Sequence, residues 1–413
     1  MSEWKETRLR DITIGNGTYG IAAPAVPKDN NKYTYLRITD INDDGSLNFS
    51  DLKSVDDPKA NKYLLEPNDI VFARTGNSTG RSYFYDGSAG ELVYAGFLIK
   101  FSLDSHKVNP KILKYYTHSK VYYDWVAYFD SGATRGNINA KTFAEMPVTL
   151  PSRNTQDKVV AILSSLDEKI ETNRKINARL EELAQALFKS WFIDFEPFGG
   201  QMPEDWETVP INDMVETIIG GDWGKEEETG SFTKKVMCIR GADLNNIRIG
   251  EKGKAPIRYI LNKNFKQKAL SHHDIIVEIS GGSPTQSTGR IAMISSVFSN
   301  NYDNSLICTN FCKALKIKKT YSHYFYYLWN YLYNNKIMFI YENGSNGLKN
   351  LNLMNLLDRE LCNIPTEKVA SDFYKVIESI FLKIQRTGAE STRLAALRDT
   401  LLPKLMSGEL IPE

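Results

Sequence analysis

The stretch from Pro151 to Phe198 constrains this chain more than any other. It reads PSRNTQDKVVAILSSLDEKIETNRKINARLEELAQALFKSWFIDFEPF, with no Gly or Pro between Ser152 and Glu196. Apolar residues return at Val159, Ile162, Leu166, Ile176, Leu180, Leu183 and Leu187, the spacing of one helical face. A helix from about Asn154 to Ser190 runs ~55 Å at 1.5 Å per residue, longer than a small domain is wide. Written as heptads, the seam is Val159, Ile162, Leu166, Lys169, Asn173, Ile176, Leu180, Leu183, Leu187, apolar at both ends and polar in the middle. Such a face needs a partner to cover it.

The chain supplies one, because it repeats itself. After the break at GGQMPEDW, Trp4, Leu9 and Asp11 recur as Trp206, Ile211 and Asp213, 202 positions on. Arg37 and Asp40 return as Arg240 and Asp243, offset 203, and Asp69-Ile70-Val71 as Asp274-Ile275-Ile276, offset 205. Ser78-Thr-Gly-Arg81 returns as Ser287-Thr-Gly-Arg290, offset 209, and Tyr115-Tyr116 as Tyr326-Tyr327, offset 211. From Pro151 the offset holds at 214, with Leu166 matched by Ile380 and Leu183 by Leu397. Insertions therefore fall inside the domains while the helices keep their length, as a spacer does.

The expected fold is α+β: two globular domains of mixed helix and strand, with an internal pseudo-twofold repeat, joined by two long helices that form an antiparallel coiled coil. The boundaries are 1–152, 153–198, 199–366 and 367–413. In the first domain, 69–74 and 91–100 read as strands and 109–128 as helix. Centring the two helical seams on Asn173 and Thr387 puts Lys169 beside Glu390, which predicts a salt bridge.

A length of 413 residues exceeds one compact core. The net charge of +1 argues against a general polyanion binder, leaving room for local basic faces. The N-terminus has no apolar signal core and no run reaches membrane-span length, so the expected address is the cytoplasm. Cys238, Cys308, Cys312 and Cys362 form no CxxC pair and read as buried thiols.

Phe188-Lys-Ser-Trp-Phe-Ile-Asp-Phe-Glu-Pro-Phe198 and Leu401-Leu-Pro-Lys-Leu-Met-Ser-Gly-Glu-Leu410 closely resemble the ends of the two helical regions in specificity subunits of type I restriction-modification systems. The resemblance covers the whole chain and the order of its four segments. It implies that each domain is a target recognition domain reading half of a split, asymmetric DNA site. The helices would fix the gap and dock modification subunits, two of them expected, with restriction subunits as further partners. S-adenosylmethionine, ATP and Mg would belong to those partners, and this chain would bind no cofactor or metal and catalyse nothing.

The residues agree with that division of labour. Gly220-Gly-Asp-Trp-Gly-Lys225 is one residue short of a phosphate-binding loop, and Asp194-Phe-Glu-Pro-Phe198 matches an adenine methyltransferase motif only superficially. His272-His273-Asp274 is the one cluster of metal-ligand type, but its counterpart is Pro67-Asn68-Asp69, so it reads as the turn before a strand. Adjacent histidines also lack the i, i+4 spacing of helical zinc ligands.

Base reading needs donors and acceptors on projecting turns. Arg74, Asn77 and Arg81 stand on one Gly-rich turn, matched by Gln286 and Arg290; Thr134, Arg135 and Asn137 stand on a second, matched by Asn346 and Lys349. A third pair, 15–20 and 220–224, offers Tyr19 and Trp223. Taken singly, each residue also fits a plain surface turn. A self-contained methyltransferase or nuclease and a coiled-coil adaptor with two protein-binding heads are the competing readings.

Overall fold

A computed structural model of the chain describes residues 4–130, 137–283, 286–303, 305–344 and 349–412. The chain divides into two compact units, 1–167 with 396–413, and 168–395. The central helix runs Arg153–Phe192 and the C-terminal helix Glu367–Ser407, so each unit takes part of both. No described helix is long and apolar enough to cross a membrane.

The repeat is visible as topology. The first unit holds a four-stranded sheet in the order Thr13–Tyr19, Leu98–Leu103, Asp69–Ala73, Ser82–Tyr85. The second has Val215–Gly220, Cys312–Ile317, Ile275–Glu278, Ile291–Met293 in the same order. Each unit also has one parallel strand pair, Thr34 beside Leu92 and Met237 beside Leu306. A two-stranded ribbon closes each domain, with Lys5 opposite Leu150 and Glu207 opposite Ile364. Those partners reproduce the offsets of 202 and 214.

The repeated motifs turn out to be turn chemistry. Arg37 Nη2 donates to Asp40 Oδ1 at 2.6 Å and to the Asp51 carbonyl at 2.8 Å. Arg240 Nη2 does the same to Asp243 Oδ1 and the Lys254 carbonyl, at 3.0 and 2.6 Å. Asp69 and Asp274 accept from the backbone N–H three residues earlier, at 2.8 and 2.7 Å. The residue before each, Asn68 or His273, has a left-handed φ of 78° or 72°, a conformation in which Asn and His are enriched. The His-His-Asp run is thus the expected turn.

Two expected elements are divided. The run 91–100 becomes Leu92–Tyr94 and Leu98–Leu103, interrupted by a turn whose Leu98 N–H donates to the Ala95 carbonyl. The helix expected over 109–128 becomes Lys111–Tyr116 and Lys120–Asp130. The Thr117 hydroxyl meets the Leu113 carbonyl at 3.0 Å and Ser82 Oγ at 2.8 Å, ending the first helix, and Ser119 Oγ accepts from Tyr122 N–H to start the second. All four cysteines are free and buried.

The helical seam needs correction. Of the expected seam, Val159 and Asn173 are buried and Leu166, Leu180 and Leu187 half-buried, but the series Ile162, Lys169, Ile176, Leu183 is displaced by one residue: Leu163, Ile170, Asn177 and Ala184 are buried there, whereas Ile176 and Leu183 are exposed. At Asn177 and Ala184 the helix buries a polar and a small side chain, so counting apolar residues chose their larger exposed neighbours. In the second unit Lys169 Nζ lies 3.7 Å from Glu390 Oε2, the expected pair. Asn173 Nδ2 donates to the same oxygen at 3.0 Å, and Asn177 Nδ2 to the Ile384 carbonyl at 3.2 Å. Numbers rise on one helix as they fall on the other, an antiparallel contact.

The loop Ile247–Gly250 docks on the same helices. Gln385 Nε2 donates to the carbonyls of Ile247 and Arg248 at 2.9 and 3.0 Å, while its Oε1 accepts from Ser295 Oγ at 2.8 Å. Asn177 Nδ2 also donates to the Ile249 carbonyl at 3.1 Å. Gly388 makes this approach feasible, because a Cβ there would lie 1.8 Å from the Ile249 oxygen.

His118 gives the first unit a pH dependence. Burial holds its pKa down at about 4, and Nδ1 lies 3.0 Å from Tyr123 Oη. An unfolded histidine takes up its proton near pH 6.5, so between about 6.5 and 4 the unfolded chain binds more protons than the folded one. Stability should fall as pH drops through that window and the His118 contribution should level off below it. Urea titrations at several pH values should show this slope, flattened in His118→Gln.

Candidate nucleic-acid interface

In each domain a Gly-rich turn leaves the third strand of the four-stranded sheet on one backbone frame. In the first, Arg74 N–H donates to the Phe97 carbonyl at 3.0 Å, and Ile138 N–H to the Arg74 carbonyl at 2.9 Å. In the second, Ile279 N–H donates to the Phe311 carbonyl at 2.9 Å, and Leu351 N–H to the Ile279 carbonyl at 2.9 Å. Thr75 bridges Asn137, as Ser280 pairs with Asn350. Just beyond, Asn139 and Asn352 cap short helices by accepting from Thr142 and Asn355 N–H. The first two stretches singled out from the sequence are therefore neighbours in both domains.

The first domain adds the third stretch. The Arg74 guanidinium lies over the Tyr19 ring at 5.1 Å, and Tyr19 Oη accepts the Ala140 N–H at 3.1 Å. The equivalence of Tyr19 with Trp223 does not hold. Gly20 and Gly221 are the matching residues, since a Cβ on either would come within 2.3 Å of the matching carbonyls of Ala95 and Thr309. That places Trp223 opposite Ala22, where it stacks on the Arg258 guanidinium at 3.9 Å.

The proposed contact residues differ in what they have left to offer. Arg290 is committed: its Nε and Nη2 donate to Glu278 at 2.9 and 2.6 Å, and that carboxylate is buried. Arg81 pairs with exposed Asp43 at 2.7 Å and donates to the Ile41 carbonyl. Lys349 pairs with Glu342 at 2.8 Å and lies over Phe339. Arg74 keeps a buried Nε with no hydrogen-bond partner among the described residues. Asn77, Asn137 and Gln286 are exposed. Thr134, Arg135 and Asn346 lie outside the described residues.

Two aromatic residues escaped the sequence reading. Phe97 and Phe311, 214 positions apart, occupy the same place beside the two turns, and each is 59% exposed. Their separation of 214 departs from the local offsets of 209 at Arg81 and 211 at Tyr115, so the repeat series does not align them. Along the helices, Leu183 and its counterpart Leu397 are also both exposed, as are Ile176 and Val376.

Fold and turns together define a tandem of two like domains on one chain. The sequence matches the family model of the type I restriction modification DNA specificity domain over residues 1–182 and 203–366. It is 24% identical to the type I restriction enzyme HindI specificity subunit of Haemophilus influenzae, covering 99% of this chain and 100% of that one. It is 25% identical to the type I restriction enzyme MjaIX specificity subunit of Methanocaldococcus jannaschii, over 73% of this chain and 69% of that protein. In structure it is similar to the S subunit of a type I restriction-modification system from M. genitalium, with a TM-score of 0.59 and 15% identity over 100% of this chain and 97% of that one. The chain belongs to the type I restriction-modification DNA specificity family and carries the family's domain twice.

Proposed function

We propose that the two domains read the two halves of a split, asymmetric site on double-stranded DNA and that the paired helices set the gap between them. The observation that carries this reading is the duplicated backbone frame with different side chains on it: Arg74 where the second copy has Ile279, and exposed Asn77 and Gln286 on the two turns. A common frame suits a common approach to the duplex, and differing donors suit different bases. Exposed Phe97 and Phe311 are placed to meet DNA beside those turns, as apolar side chains do at base steps.

The central and C-terminal helices pair as an antiparallel coiled coil in this reading. Their exposed apolar residues, Leu183 and Leu397 above all, form docking points for two modification subunits. Adenine methylation with S-adenosylmethionine and any ATP- and Mg-dependent cleavage then belong to partner subunits, and this chain is noncatalytic. With a net charge of +1, the chain alone binds DNA weakly and its partners add much of the affinity.

The test is footprinting and methylation mapping of the chain with its modification partner, before and after removal of one heptad from both helices, which keeps the seam in phase. Two protected half-sites are expected, and the gap between them should shorten by about three base pairs, from ~10 Å of lost helix at 3.4 Å per base pair. Each half-site sequence should stay the same. No specific protection would support an adaptor with two protein-binding heads instead, and altered half-sites with an unchanged gap would refute the ruler.

A further inference from the structure

Three of the chain's five histidines meet at one carboxylate in the second unit. His272 and His273 occupy the turn before Ile275–Glu278, His323 lies in the first turn of the helix Ser322–Asn334, and Glu378 stands on the C-terminal helix. Glu378 Oε1 is 3.4 Å from His272 Nε2; Glu378 Oε2 is 3.2 Å from His273 Nε2 and 2.6 Å from His323 Nε2. The ligating atoms of His272, His273 and Glu378 lie within 4.8 Å of one another.

The fold does not require this cluster. At the matching positions the first domain has Pro67, Asn68, Ile112 and Ser164, and Ile112 is as fully buried as His323. There the helix is tied to the spacer without any imidazole, by Lys114 Nζ and Tyr115 Oη donating to Asp167 at 2.6 and 3.0 Å and by Tyr115 Oη beside Ser164 Oγ.

Proton bookkeeping points to a cation. His272 Nδ1 lies 3.2 Å from the Ile294 carbonyl, which can only accept, so Nδ1 carries the proton. In the neutral ring Nε2 is then a bare lone pair facing the Glu378 carboxylate. Two acceptors at that distance need a positive centre between them. A proton on His272 or a bound cation supplies it, and the cation does so while leaving the two stacked rings, with centroids 3.6 Å apart, uncharged.

We infer that His272 Nε2, His273 Nε2 and the Glu378 carboxylate bind a divalent cation of the zinc(II) class, with His323 hydrogen-bonded to the same carboxylate and orienting it. Ligand atoms about 2.0–2.2 Å from a tetrahedral zinc are ~3.3 Å from each other; each ring lies near that spacing from one carboxylate oxygen, His272 from Oε1 and His273 from Oε2, and one of these oxygens would be the third ligand atom. Two imidazoles with one carboxylate suit zinc rather than calcium or magnesium, which take oxygen ligands. The Ile294 carbonyl on His272 and His323 on Glu378 supply the outer hydrogen bonds that fix first ligands. A water would complete the tetrahedron. Tyr374 Oη, 3.2 Å from His273 Nε2, is near enough to hold it. The ion would clip the domain's turn to the C-terminal helix and so fix one recognition domain on its spacer.

The test uses the full chain, stripped with chelator and titrated with zinc(II), with cobalt(II) as the spectroscopic probe. One zinc per chain is expected, with a raised Tm and a tetrahedral cobalt spectrum. His272 is only half-buried, so His272→Ala should keep the wild-type circular dichroism while losing stoichiometric zinc. Glu378→Ser, which installs the residue of the matching central-helix position, should do the same. His323→Ile should weaken zinc binding by about 10–100-fold, the usual effect of an outer-shell loss. No zinc bound at one equivalent by the folded chain would overturn the inference. So would unchanged binding in His272→Ala or Glu378→Ser.

Discussion

Gly388→Ala should destabilise the second unit by about 2–4 kcal/mol, read as a lowered urea midpoint. Glycine to alanine inside a helix ordinarily stabilises by ~1 kcal/mol, so the expected sign is reversed. The added methyl would stand 1.8 Å from the Ile249 carbonyl oxygen, a main-chain atom that no rotamer change can move aside. Either helix or loop must retreat, at the ~1–3 kcal/mol typical of overpacking. Retreat also stretches the bonds from Gln385 to Ile247 and Arg248 and from Asn177 to Ile249, each worth about 1 kcal/mol. Alanine at Arg174, the matching and exposed position of the central helix, should change stability by less than ~0.5 kcal/mol. An unchanged midpoint for Gly388→Ala would mean that the loop does not depend on this helix.

Arginines of the two turns should fail in opposite ways. Arg290→Ala strands the Glu278 carboxylate, which is buried and receives two of the guanidinium's N–H groups. Loss of one partner from such a pair costs about 3–5 kcal/mol, so this variant should lose stability before any effect on DNA is measured. Arg74→Ala removes a side chain that stacks on Tyr19 and leaves no carboxylate behind. Its stability should hold within ~1 kcal/mol, while affinity for the first half-site should fall by ~1–3 kcal/mol, about 5–150-fold. Thermal melts and competition binding of the assembled complex separate the two. Equal affinity for wild type and Arg74→Ala would remove Arg74 from the reading surface.

Much of this architecture is legible in the sequence because a repeat reports twice on the same physics. Pairing Asn68-Asp69 with His273-Asp274 identifies a turn that neither run would identify alone, and both carry the left-handed residue. The central helix is legible because no Gly or Pro interrupts it, the C-terminal one, which contains Gly388 and Pro403, because it repeats the first, and their polar centre fixes a register, as the contact of Lys169 with Glu390 shows. The phase of the seam was hidden because Asn177 and Ala184 are buried for close approach and hydrogen bonding, which hydropathy does not record. The turns themselves could be found from Gly and Ser, but not the commitment of Arg290 to Glu278, set by strand pairing across the turn. The convergence on Glu378 was equally invisible: His323 and Glu378 are separated by 55 residues, and Glu378 and His273 by 105.

The frame beneath both turns is made of main-chain hydrogen bonds, from Arg74 to Phe97 and Ile138 in one copy and from Ile279 to Phe311 and Leu351 in the other. Main-chain bonds do not depend on which side chain is attached. Arginine and isoleucine already occupy the same place in the two copies without disturbing it. On the proposed reading of DNA by these turns, the side chains that meet the bases can therefore be exchanged while the frame beneath them stays unchanged.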